Sequence, residues 1–319
     1  MRILITGGSG FIGTRLIGML LNAGHQITIF DKNISSRYPT MTVVGDVCDK
    51  TALVKAAIGQ EFMYHLAAEH TDNVHPASLY DDVNVGGAEN VIAAANAANI
   101  NKIIFTSSVA VYPLNIGMPD ESTQAVPFNK YGESKYAAEQ VFAGWSAADN
   151  SRTVVTIRSC AIFGEGNRGN VYNLLSQIYK RQFIMVGAGN NKKSIGYVGN
   201  IAKFLMFCLD LSAGYHLFNY ADKPDLTTAE LVNIAENAFG KNGNNKFRIP
   251  YRAGLLAGYT FDLLAGVTGK KFPISALRIK KFCADTTVSV EHLSKTAFRP
   301  PYSLKEALEE TIKAEFNSR

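Results

Sequence analysis

A tyrosine and a lysine stand four positions apart in the segment Tyr131, Gly132, Glu133, Ser134, Lys135. At helical spacing their side chains share one face. A phenol with an ordinary pKa near ~10 is a poor base at neutral pH, but an ammonium beside it favours the phenolate. Such a pair can pass a proton to and from a hydroxyl, although the same spacing also fits an exposed helix start with a solvated lysine. Ser108, closing the run Thr106, Ser107, Ser108, offers a further hydroxyl. Near the amino end, Ile3 to Thr6 leads into Gly7, Gly8, Ser9, Gly10, Phe11, Ile12 and Gly13. Glycines at Gly7, Gly10 and Gly13 between a strand and a helix suit a dinucleotide. The first permits a tight turn, the second the approach of a pyrophosphate, the third close packing of helix on strand, with the helix amino end facing the phosphates. Asp31 follows Gly13 by 18 positions, where a carboxylate accepts from both ribose hydroxyls. It favours NAD over NADP, whose 2′-phosphate would need Lys32 or Arg37 to offset the repulsion. Asp46 is expected to end a strand and bond the adenine amino group, or else to cap the next helix.

Positioning these groups takes a particular order of elements. Arg2 to Gly8, Gln26 to Lys32, Met41 to Asp46, Phe62 to Ala68 and Lys102 to Ser108 read as short buried strands. Phe11 to Ala23, Thr51 to Ile58, Pro76 to Ala98 and Lys130 to Ala147 read as helices between or after them. Alternation of this kind predicts an α/β fold, a Rossmann-type doubly wound parallel sheet. Arg152 to Phe163 reads as a sixth strand and Tyr215 to Tyr220 as a late return to the sheet. Helices are expected at Val171 to Tyr179, Thr227 to Phe239, Arg252 to Leu264, Ile274 to Phe282 and Leu304 to Phe316. Pro224, Pro250, Pro273, Pro300 and Pro301 mark breaks. The expected organisation is a dinucleotide-binding domain over 1–165 with a return segment at 195–220. A smaller, mainly helical substrate-binding lobe takes 166–319.

The 319 residues, 47% hydrophobic and 18% charged, exclude a disordered or collagen-like chain. A net charge of +5 is only mildly basic, so no nucleic-acid partner is expected. Cys48, Cys160, Cys208 and Cys283 form no CxxC pair, which argues against a zinc site or disulfide framework and for the cytoplasm. Met1 leads directly into the strand-like Arg2 to Thr6, with no charged region before an apolar run and no cleavage site, so no signal peptide is expected. The apolar stretch Ala253 to Val267 is too short to span a bilayer, and no membrane partner is expected. His65, His70 and His75 cluster in sequence, but no metal is expected at them.

Taken together, GGSGFIG at Gly7 to Gly13, HLAA at His65 to Ala68, FTSSVAVY at Phe105 to Tyr112 and YGESK at Tyr131 to Lys135 resemble the extended short-chain dehydrogenase/reductases. The branch resembled is the NAD-dependent epimerase/dehydratase family. The likeness extends to the ending Pro301, Tyr302, Ser303, Leu304, Lys305, Glu306, Ala307, Leu308. It implies Tyr131 as acid/base, Lys135 as ribose-binding and pKa-lowering cation, and Ser108 as the hydroxyl that orients the reacting oxygen. The cofactor set then comprises Gly7, Gly10, Phe11, Ile12, Gly13, Asp31, Asp46, Val47, Leu66, Ala67, Ala68, Asn84, Tyr131, Lys135 and Cys160.

Family members resembling this chain mostly act on nucleotide-linked sugars. Family dehydratases place an acidic pair just after the catalytic hydroxyl residue; Val109 and Ala110 occupy those positions here and cannot do acid/base work. The expectation is therefore an NAD-dependent epimerase acting at C4 of a nucleotide-linked hexose, a UDP-sugar foremost, through a 4-keto intermediate. Alternatives are an NAD(P)H-dependent 4-ketosugar reductase, a hydroxysteroid- or dihydroflavonol-type alcohol dehydrogenase, and a non-catalytic NAD-binding sensor. Ser108, Arg168, Asn170, Lys193, Arg252 and Arg278 are the candidate substrate-binding residues, the cations for a diphosphate. The family's asparagine after the sixth strand is matched by Ala161, and an Asp-containing stretch by Tyr197, Val198, Gly199, Asn200. Asn84 to Ala98 and Lys130 to Ala147 resemble segments that pair across a homodimer.

Overall fold

Alternation within five residues sets the first layer. In β1 (Arg2–Thr6), Ile3 and Ile5 belong to one hydrophobic cluster and Leu4 to another, all fully buried, as a strand covered on both faces requires. β2 (Gln26–Asp31), β3 (Thr42–Val44), β4 (Phe62–His65), β5 (Lys102–Ser108), β6 (Thr153–Ser159) and the late strand Gly214–Tyr220 complete a seven-stranded sheet. Its order is Gly214–Tyr220, β6, β5, β4, β1, β2, β3, every pair parallel. This is the Rossmann-type sheet expected from the alternating pattern. Strand order reverses between β1 and β4, where open parallel sheets leave a ligand crevice at the carboxyl ends of the strands.

Helices cover both faces. α1 (Phe11–Asn22) buries Leu16, Ile17 and Leu20 with Ile201, Phe204 and Leu205 of the helix Val198–Phe207 on the Ile3 and Ile5 side. On the Leu4 side lie α2 (Lys50–Ala57), α3 (Ser78–Tyr80), α4 (Gly87–Ala98) and α5 (Lys130–Ala147), contributing Leu53, Val91, Ala94, Phe142 and Trp145. Burying a large aliphatic or aromatic side chain contributes about 1.5–3 kcal/mol, and these two layers hold most of the fully buried ones.

The structure is a computed structural model that describes residues 1–71, 74–114, 116–241, 248–268 and 275–316. Pro273 and Ile274, expected as a break and a helix start, lie outside them. The chain divides into two units, the first Met1–Ile162, Gly196–Ala221 and Val288–Tyr302, the second Phe163–Ile195, Asp222–Thr287 and Ser303–Arg319. The second unit is mainly helical, with Asn170–Tyr179, Thr228–Ala238, Tyr251–Thr268, Ala276–Cys283 and Leu304–Phe316. A reciprocal cap starts Thr228–Ala238: the Thr227 hydroxyl accepts from the Glu230 amide, and the Glu230 carboxylate from the Thr227 amide.

Three local departures from the sequence pattern have physical causes. β3 stops at Val44, two residues short of Asp46; it is the sheet's edge strand, and Gly45 turns away under the Phe30 ring. The expected helix from Pro76 to Ala98 is interrupted by a π-helical turn, Asp81–Gly86, a form often found at functional sites. The expected strand Arg152 to Phe163 divides at Cys160, whose amide donates to Tyr220, leaving Ala161–Phe163 as a separate strand.

Candidate active site

The crevice between β1 and β4 is shaped by glycine. Gly7 has a φ of +72°, and a Cβ there would lie 2.5 Å from the Ala67 nitrogen. Only glycine permits both the turn and this approach of the Leu66, Ala67 backbone. Gly13 is pressed against the loop itself: its Cβ would fall 2.7 Å from the Gly8 Cα and from the Gly8 oxygen. Gly10 is the N-cap of α1, and no side chain caps that end, which leaves amides of the first turn, Phe11 and Ile12 among them, to an anion. Asp31 ends β2 and braces the loop, accepting from the Ser9 amide at 3.1 Å and the Asn33 amide at 3.0 Å.

The chemical end lies on the same unit. Asn129 caps α5 by accepting from the Gly132 amide at 2.8 Å. Gly132 lets the helix start settle on the Ala110 carbonyl, where a Cβ would clash. The Tyr131 phenol lies near Ser108 at the end of β5, whose Oγ accepts from the Ala110 amide at 3.1 Å, and its ring lies 6.3 Å from that of Tyr80. Burial pushes the phenol above the ordinary tyrosine value, and the neighbouring Ser108 hydroxyl opposes that shift. Lys135, 2% exposed, sits one turn on, its ammonium 4.4 Å from the centre of the Phe105 ring. Burial pulls its pKa down to about 7, while the charge of Glu139 works the other way.

Buried polar residues lie behind these groups; Ser134, Glu139 and Arg158 among them were not expected from the sequence. Asn84, 1% exposed and set in the π-helical turn, donates to Ser134 Oγ at 2.9 Å and to the Glu69 carbonyl at 3.0 Å, and accepts from the Glu69 amide. Ser134 in turn donates to the Tyr131 carbonyl. Asn84 thus ties the loop after β4 to the start of α5. Beneath Lys135, Glu139 and Arg158 form a buried pair at 2.7 Å. Ser107 donates to Glu139, and Arg158 to the Tyr112 hydroxyl, which donates to Asn219. Helical spacing was the available signal: Glu139 follows Lys135 by four positions and Tyr131 by eight, on the same face.

Other expected residues stand differently. Asp46 lies beyond β3; it accepts from the Cys48 amide at 2.9 Å and pairs loosely with Lys32, while Asp49 is the residue that caps α2. The Val47 side chain is buried in the Leu4-side core, and Cys160 is buried beside Val111 and Ala221. His65 is fully buried, bonded to Thr6 at 2.7 Å, with its Nε2 lacking a hydrogen-bond partner. Burial and the charge of Lys135 depress its pKa to about 3. In the second unit Arg168 stacks over Tyr172 and pairs with Glu315 at 2.8 Å, and Lys193 donates to the Ala284 carbonyl. Asn170 begins a helix, exposed; Arg252 and Arg278 are exposed on two other helices. Asn200 spends its amide on Tyr302, accepting from its N–H and donating to its carbonyl.

The glycine cradle, the uncapped end of α1 and a buried ammonium with no hydrogen bond to any described residue fit a nicotinamide dinucleotide. α1 could hold its phosphates, and Lys135 and Tyr131 its nicotinamide-side ribose. The chain belongs to the NAD dependent epimerase/dehydratase family, whose profile matches residues 3–221. Among individual proteins, it is 47% identical over 316 residues to the N-acetyl-alpha-D-glucosaminyl-diphospho-ditrans,octacis-undecaprenol 4-epimerase of Escherichia coli O157:H7, covering 98% of this chain and 95% of that protein. It is 30% identical to the 2-alkyl-3-oxoalkanoate reductase of Stenotrophomonas maltophilia, with 97% of each chain covered. Among solved structures it superposes on the UDP-N-acetylglucosamine 4-epimerase of Bacillus cereus with a TM-score of 0.78 and 20% identity, over 98% of both chains.

Proposed function

We propose that this protein is a C4 epimerase of an N-acetylhexosamine carried on a diphosphate, with NAD in preference to NADP as its cofactor. The observation that carries the reading is the Tyr131 phenol set beside Ser108, with the Lys135 ammonium buried one turn away. Bound NAD supplies the acceptor, and then the donor, of the C4 hydrogen. Tyr131 takes the C4 hydroxyl proton as that hydrogen leaves and returns it when the hydrogen comes back on the other face. Ser108 holds the C4 oxygen throughout. The Lys135 charge favours the phenolate, and Asp31 stands where a 2′-phosphate would meet like charge. Val109 and Ala110 supply no carboxyl group for elimination of water, which disfavours dehydration.

The full-length likeness to the Escherichia coli enzyme supports a polyprenyl diphosphate as the sugar's carrier; the sequence reading, a nucleoside diphosphate, is the second. We further assign Gly7, Gly10, Phe11, Ile12, Gly13, Asp31, Leu66, Ala67 and Ala68 to the cofactor, and α4 and α5 to a homodimer, in a cytoplasmic enzyme. Incubation with N-acetylglucosaminyl diphosphoundecaprenol and, separately, UDP-N-acetylglucosamine tests the reading. Inversion at C4 without net NADH is expected, faster with the lipid-linked sugar. Stoichiometric oxidation or reduction instead would identify a dehydrogenase, the class to which the 30% identical reductase points.

A further inference from the structure

The helix Tyr251–Thr268 has two unlike faces. Gly254 and Gly258 lie on the inward one: a Cβ on Gly254 would meet Val186 at 2.7 Å, and one on Gly258 the Ala276 nitrogen at 2.7 Å. Asp262, the next residue on that line, accepts from the Ala276 amide at 3.0 Å. Opposite run Arg252, Leu256, Tyr259 and Leu263, spaced four, three and four apart, one stripe of a helix. Leu256 and Leu263 are each 70% exposed and Tyr259 50%. Single exposed leucines need no explanation, but a continuous apolar stripe does. Lys280 stands 5.3 Å from the centre of the Tyr259 ring, and Arg278 is exposed on the same neighbouring helix.

Charge identifies what covers the stripe. Residues 248–283 carry seven of the chain's 32 Lys and Arg and one of its 27 Asp and Glu. The remainder of the chain is therefore slightly acidic, and the basic excess is confined to the segment that holds the exposed leucines. Apolar residues bordered by cations and an aromatic ring match an anionic bilayer, with the leucines in the acyl boundary and the cations among the headgroups. No helix among the described residues is long and apolar enough to cross a membrane, but a helix of 18 residues, about 27 Å long, can lie in the interface plane.

We propose that Tyr251–Thr268 is a membrane-docking helix that seats the protein on an anionic lipid surface. The sequence expectation of no membrane partner rested on the absence of a spanning segment; docking along the surface is a different arrangement. The proposal rests on the epimerase reading only for its purpose, since a sugar anchored by a polyprenyl tail is met at a bilayer. Docking itself is measured without substrate.

The test is flotation of the full chain with vesicles of phosphatidylcholine, and of phosphatidylcholine mixed equally with phosphatidylglycerol. The wild type is expected to float with the anionic vesicles, less with neutral ones, and to be weakened by salt. The double variant Leu256→Glu, Leu263→Glu should lose about tenfold or more in partitioning, with an unchanged circular dichroism spectrum and unchanged epimerisation of the detergent-dispersed sugar lipid. Absence of wild-type flotation, or equal flotation of the variant, overturns the proposal. So does conversion of a dimer to a monomer by the variant with no vesicle binding in either, which would assign the face to a second copy. A protein that floats but epimerises nothing would leave the docking surface standing and remove the enzymatic reading alone.

Discussion

The two units use their polar residues in opposite ways. In the first, Asn84, Ser134, Lys135, Glu139 and Arg158 are nearly sealed from solvent, and Asn84, Ser134, Glu139 and Arg158 are bonded to protein groups around Tyr131. In the second, Arg168 meets its carboxylate with 59% of its side chain exposed, and the long helix leaves its leucines bare. Buried and fully bonded groups hold a geometry, because leaving any one unpaired is costly. Exposed cations and apolar side chains remain available for recognition. The contrast separates a unit whose polar groups fix a geometry from one whose charged and apolar groups stay exposed.

The sharpest break of that contrast is Tyr131→Phe. Removing the phenolic hydroxyl should lower kcat by about 10²–10⁴-fold, the range of a general acid/base, while NAD binding, followed by equilibrium dialysis, persists. Loss of NAD binding together with activity would show that the residue builds the cofactor site instead. Next in size is a matched pair of arginine variants. Arg158→Met strands Glu139 in the interior and should destabilise by about 3–5 kcal/mol, whereas Arg168→Met, where only the guanidinium is exposed and Glu315 keeps the Gly166 amide as donor, should cost about 1 kcal/mol. Equal costs in urea unfolding would erase the distinction between the units.

Acid should act mainly on the first unit. His65 and Lys135 have folded pKa values depressed to about 3 and about 7, so the unfolded chain binds more protons than the folded one between each value and the ordinary one. Stability of the cofactor-free protein therefore falls as pH drops from 10.5 towards 7 through Lys135, and from 6.5 towards 3 through His65. Buried Tyr64 and Cys208, both raised by burial, act in the other direction above about pH 9. The clean readout is the melting difference between Lys135→Met and the wild type, which should widen on acidification from pH 9 to about pH 7. A constant difference would mean that Lys135 titrates normally. More local is Asn84→Ala, expected to cost about 1–3 kcal/mol and to loosen the loop after β4. A KM for the cofactor unchanged in steady-state assays would contradict its positioning role.

Much of this was legible before any coordinates. Hydrophobic runs of alternating period identified the parallel sheet, and α5 begins and ends where its pattern does, from Lys130 to Ala147. Gly7 was legible because one residue type alone satisfies its turn. What escaped was long-range polar pairing. Nothing in the local pattern ties Glu139 to Arg158, nineteen positions away, or Asn84 to Ser134, fifty away, since such bonds form only once the sheet brings β5, β6 and α5 together. The Asp46 strand end also escaped, because an edge strand has no further neighbour to hold it in the ladder. Cations were harder still: Arg168, Lys193, Arg252 and Arg278 read alike in sequence, yet one stacks on a ring, one is half-buried against a carbonyl and two are exposed.

The most direct test is to give the purified protein, with NAD, N-acetylglucosaminyl diphosphoundecaprenol carrying deuterium at C4, and to follow the released sugar by NMR. The account predicts the galacto epimer with deuterium retained at C4 and no accumulating NADH. Loss of the deuterium to solvent, or NADH formed in proportion to product, would contradict it.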